Sequence, residues 1–72
     1  MTKHEKDILY QIEEEVIFWL YRGIDKKHIA DWLDDLIYDL SVDYSSELFN
    51  IIRRIQHNLL LGNEIINEFL RR

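Results

Sequence analysis

No proline occurs in this chain of 72 residues, and glycine stands at only two positions, Gly23 and Gly62. Proteins made of many short strands need tight turns, and those turns draw heavily on glycine and proline. So few breakers leave long, uninterrupted helices as the structure the chain can build. The expected fold class is all-α.

The helix boundaries are written locally. Thr2-Lys3-His4-Glu5 has the spacing of a capping box, which predicts a first helix from about residue 3 to Tyr21 or Arg22, with Gly23 as a left-handed stop. Leu9, Ile12, Val16 and Trp19 recur at helical spacing on one face, with Ile8 widening the stripe and Glu13, Glu14 and Glu15 turned mostly to water. Asp25 is a good N-cap for a second helix, and Ile24 with Ile29 have the placement of a hydrophobic staple. Its inner stripe is expected at Ile29, Leu33, Leu36 and Leu40, flanked by Trp32 and Ile37.

Residues 41–44 break that pattern. Ser45 is the expected cap of a third helix, with Tyr44 and Phe49 as its staple. From there Leu48, Ile52, Ile55, Leu59, Gly62, Ile66 and Phe69 alternate at spacings of four and three, a coiled-coil-like seam. Either one long helix runs from about 45 to 71, or Gly62-Asn63 ends it and Asn63 caps a short fourth helix. The whole chain reads as a single domain, a small helical bundle of three helices with the third long or broken near Gly62.

A chain of this length buries only about 60% of the surface that its unfolded form exposes, so small domains need a supplement from disulfides, metal or oligomerisation. There is no cysteine, which removes disulfides and thiolate metal sites and fits a reducing compartment. Oligomerisation remains, and completion of the bundle by a homodimer is the expectation, with Trp19, Trp32, Leu36, Ile52, Ile55 and Leu59 in the core. The run Val16-Ile17-Phe18-Trp19-Leu20-Tyr21 is apolar all the way round, more than a helix on a single core needs. Either the third helix and the C-terminal segment wrap it within one chain, or Ile17, Phe18 and Tyr21 meet another chain; Leu60, Leu61 and Leu70, off the main seam, add to that surplus.

The net charge is −5, with 14 acidic against 9 basic residues, so the chain as a whole has no electrostatic pull toward nucleic acid or anionic lipid. Asp31, Asp35 and Asp39 lie four apart on one stripe with Asp34 beside them, either a solvated face partly neutralised by Arg53, Arg54 or Lys26, or a docking face for a basic partner. The segment 25–33 looks like the opening helix of a helix-turn-helix, but Asp34, Asp35 and Asp39 come next, where a basic recognition helix belongs. Arg53, Arg54 and His57 share one outer side of the third helix and are the candidate phosphate contacts of an alternative, nucleic-acid-binding reading.

His4, His28 and His57 fall on separate segments, no Glu precedes a histidine by three, and no phosphate-cradling loop or nucleophile elbow occurs, so no metal, cofactor, small-molecule substrate or catalytic role is expected. The opening Met1-Thr2-Lys3-His4-Glu5-Lys6 is similar to the start of a small plasmid-encoded RNA-binding regulator that forms a dimeric four-helix bundle. That likeness covers six residues, and Glu13-Glu14-Glu15 and the aromatic run differ from that family's polar RNA-facing helix, so no role is carried over. The longest apolar run is far shorter than the roughly 20 residues of a membrane span, and no signal-peptide core opens the chain. The expected protein is cytoplasmic and non-catalytic, a small regulatory, adaptor or inhibitor protein, and its composition suits a bacterium or phage.

Overall fold

The computed structural model describes residues 1–61. Readings that fall on residues 62–72, namely the seam through Gly62, Ile66 and Phe69, the choice between a long and a broken third helix, and Leu70, lie outside the described residues. Among the described residues three helices form the bundle: α1 (Lys3–Tyr21), α2 (Lys26–Asp39) and α3 (Glu47–Leu61). Among the described residues there is no strand.

Each boundary has a local chemical cause. At the start of α1 the Glu5 amide donates to Thr2 Oγ1 at 3.1 Å and the Thr2 amide to Glu5 Oε1 at 3.0 Å, so two amides without helical partners are satisfied reciprocally. Its far end is a Schellman motif, with the Ile24 amide reaching back to the Trp19 carbonyl and Gly23 at φ +75°. Asp25 caps α2 through the Lys27 amide at 3.0 Å. The end of α2 repeats the Schellman geometry, with the Val42 amide on the Ile37 carbonyl, but here the left-handed residue is Ser41, at φ +52°.

The cap of α3 sits one residue later than expected. Asp43 Oδ1 accepts from both the amide and the hydroxyl of Ser45, which closes a turn and occupies that serine. Ser46 Oγ then accepts from the Phe49 amide at 3.1 Å and is the N-cap. The ring pair expected at this corner forms all the same, Tyr44 and Phe49 lying 5.0 Å apart between centroids. Ile24 is 41% exposed, so the corresponding residue at the α2 entry is covered only in part.

The core is built from Leu9, Ile12 and Val16 of α1, Ile29, Ala30, Leu33 and Ile37 of α2, and Leu48, Ile52, Ile55 and Leu59 of α3. The α1 stripe is the predicted one as far as Val16, and the α3 stripe is the predicted one from Leu48 to Leu59. On α2 the stripe is rotated: Ala30 and Ile37 are buried, Leu36 is half-buried, and Leu40 is the C-cap and exposed. Trp19 and Trp32 are half-buried and pack on each other across α1 and α2, with ring centroids 4.8 Å apart, at the margin of the core rather than its centre. The short connections make α2 antiparallel to both neighbours, and α2 and α3 pack against each other far more extensively than either packs on α1.

The two left-handed positions yield opposite expectations. An L side chain there costs about 1–2 kcal/mol, so Gly23→Ala should lower the melting temperature by several degrees in a circular-dichroism scan. Ser41→Gly relieves that strain, less the about 0.5–1 kcal/mol of extra glycine chain entropy, and should raise it by a few degrees. Equal effects of both substitutions in the same direction would contradict the geometry.

Candidate interaction surface

Two regions carry the residues singled out by their spacing, one polar and one apolar. The polar region lies where α2 meets α3. Ala30 has almost no side chain and lets α3 approach, and Gln56, buried to 6% exposure, fills the space. Its side-chain amide donates to the Ala30 carbonyl at 2.9 Å and to Asp34 Oδ1 at 2.8 Å, while Arg53 Nη1 donates to Gln56 Oε1 at 2.8 Å and to Asp34 Oδ1 at 2.6 Å. The Arg53 guanidinium also lies over the Phe49 ring, 5.0 Å from its centroid.

Asp34 and Arg53 hold each other, which is the neutralisation by Arg53 expected on one of the two readings of the acidic stripe. The hydrogen bond from Gln56, together with Arg53, keeps the Asp34 carboxyl below its ordinary pKa against a partial desolvation that pushes it up. Asp31, Asp35 and Asp39 are exposed on the outer side of α2. Asp31 and His57 line a shallow depression with Lys27, Asp34, Arg53 and Leu60, so the basic residues there alternate with acids. Arg54 is exposed and engaged in contacts of its own. Among the described residues no group of three or more His, Asp or Glu side chains converges in a metal-binding arrangement. No helix among them is long and apolar enough to cross a membrane.

The apolar region is the side of α1 turned away from Leu9, Ile12 and Val16. Phe18 is 52% exposed and Tyr21 81% exposed; with Ile17, Glu14 and Glu15 they line an open depression on the helix surface. Ile17 is half-buried and joins this patch to the core. Arg22 lies over the outer side of Phe18, 4.6 Å from the ring centroid. Tyr10 extends the patch toward the N-terminus, 62% exposed, and the neighbouring Glu14 carboxylate pushes its phenol pKa up, by hydrogen bonding to the protonated form first and by its charge second. Leu60 and Leu61, the last described residues of α3, are 63% and 62% exposed.

Gln56 and Tyr10 were not among the candidates from sequence. Tyr10 was within reach of the periodicity, because residues 10, 14, 17 and 21 repeat at helical spacing on the side opposite the core. Gln56 gave no such signal, since its role depends on which flank of α3 meets Ala30. No protein-family model, no curated protein and no solved structure matches the chain.

Two measurements probe the polar region. Gln56→Ala removes three buried or half-buried hydrogen bonds and should cost about 2 kcal/mol in urea unfolding, at roughly 0.5–1.5 kcal/mol per bond. A group whose folded pKa is lowered gives stability that is complete above its unfolded pKa and is lost as pH falls through the folded value. Asp34, together with Glu5 and Asp43, whose carboxyls are lowered mainly by hydrogen bonds from Thr2 and Ser45, places that loss in acid below the ordinary carboxylate range. Melting temperature should fall less steeply below about pH 4 in Asp34→Asn than in the parent chain; parallel curves would contradict the assignment.

Proposed function

We propose that this chain is a non-catalytic interaction module, a small regulatory, adaptor or inhibitor protein that packs the outer face of α1 against another protein chain, in the first instance a second copy of itself. The observation that carries the reading is the second apolar face of α1. Tyr10, Phe18 and Tyr21 lie outside the single core seam, on the other side of the helix, with half-buried Ile17 between them and the core, and Phe18 and Tyr21 are largely uncovered. Exposed aromatics gathered on one helix face are characteristic of interface cores, and a domain this small gains the most from the added burial.

Asp31, Asp35 and Asp39 line a different side of the molecule and remain available to a basic partner surface, where charge governs orientation and association rate. Arg53 already lies within 2.6 Å of Asp34, so a nucleic acid using that arginine would have to displace the carboxylate first. The protein-binding reading is therefore preferred to the nucleic-acid one.

Sedimentation equilibrium over a wide concentration range tests the reading. The parent chain should show a reversible monomer–dimer equilibrium, and Phe18→Glu with Tyr21→Glu should shift it to monomer without loss of helicity. A parent chain that stays monomeric at every concentration, and is unaffected by the double substitution, sinks the self-association.

A further inference from the structure

Phe18 stands in the middle of the exposed patch on α1, with Glu14 and Glu15 one turn before it and Tyr21 and Arg22 one turn after it, all exposed. At helical spacing these four flank it in two rows. Glu15 and Arg22 lie along one side of Phe18, and Glu14 and Tyr21 along the other. The patch is therefore acidic at one end and basic at the other. Glu15 and Arg22 are separated by about 10 Å of helix rise, too far to pair within one chain. Among the described residues neither of them forms an ion pair, and the Arg22 guanidinium is held at the patch by the Phe18 ring, 4.6 Å from its centroid.

A second copy complements that face in one direction only. In an antiparallel pair related by a two-fold axis through Phe18, each position meets the one equally far on the other side of residue 18, and each flank meets the same flank of the other copy. Arg22 then lies across from Glu15 of the other copy and Tyr21 across from Glu14, with the two Phe18 rings at the centre. Parallel pairing instead gathers the acids at 14 and 15 of both copies and leaves Arg22 without one. An antiparallel pair centred on Glu14 has the same fault, since the two Glu14 carboxylates would face each other. Juxtaposed like charges suppress a wrong pairing across an interface, so the charges select both direction and register.

We propose that two copies of the chain cross antiparallel on the outer faces of α1, with Phe18 on the two-fold axis and Arg22 of each copy against Glu15 of the other. This rests on the use of that face for self-association and specifies the surface that the partner copy brings to it. The contact from residue 14 to residue 22 is about 12 Å long, short for an obligate interface, so the pair forms and separates reversibly.

Sedimentation equilibrium at low salt tests the register, with circular dichroism to confirm that each variant keeps its helicity. Arg22→Glu and Glu15→Arg should each weaken self-association by about tenfold or more, because each substitution acts twice in a symmetric pair and turns attraction into repulsion. An equimolar mixture of the two variants should associate about as tightly as the parent chain, since opposite charges again face each other across the interface. Variants no weaker than the parent, or a mixture no tighter than either variant alone, overturn the antiparallel register and leave the self-association reading standing. If the parent chain does not associate at any concentration, or if Phe18→Glu with Tyr21→Glu leaves its association unchanged, the face is not a self-association surface and the register falls with it.

Discussion

The close approach of α2 and α3 at Ala30 is the constraint on which the bundle depends. A larger side chain there would hold the helices apart, and the polar atoms of Gln56 would lose the Ala30 carbonyl and the Asp34 carboxylate together. Buried polar groups are costly when unsatisfied, so a slip of α3 by one turn would bury Gln56 with nothing to bond. The apolar side chains set how strongly the two helices adhere, and the amide sets the register in which they do so. Among the described residues every buried side-chain polar atom has a partner, so the register is also the one in which none is left over.

The features legible in the sequence divide from the rest by whether their causes are local. Thr2 with Glu5, Gly23, and Asp25 act within a few residues of themselves, and spacing alone places them correctly. The seam of α3 from Leu48 to Leu59 is equally plain, because polar and apolar residues separate cleanly around it. The cap of α3 was misplaced by one residue because two adjacent serines compete, and Asp43 decides which of them is used. On α2 nearly every candidate for the stripe is apolar, so its rotation toward Ala30 and Ile37 is set by the partner helices and not by its own pattern. Ser41 offers no warning of a left-handed backbone, since serine is ordinary in loops.

The exposed apolar face of α1 was legible for a different reason. Six consecutive apolar residues ending α1 exceed what one seam can cover, whatever the neighbours do, and Phe18 and Tyr21 are indeed the ones left outside. Charge was legible only in outline. Arg53 was one of three cations that could neutralise the acidic stripe. Which acid it meets depends on α2 and α3 being antiparallel, since Asp34 and Arg53 lie 19 residues apart. Their mutual neutralisation removes one member from each charged face and leaves the outer acids of α2 as the more coherent of the two.

Unequal attachment of the helices has a consequence for how the molecule breathes. α1 is held to the α2–α3 pair by three fully inserted side chains, Leu9, Ile12 and Val16, with the paired indoles at its margin, whereas α2 and α3 share both apolar and polar ties. Native proteins open in cooperative units whose free energies differ with local burial. By that measure α1 is the unit expected to open first, lifting as a body while the other two helices remain paired. The same helix that faces outward is thus the one that can leave, and whatever covers its far side also sets the rate of that departure.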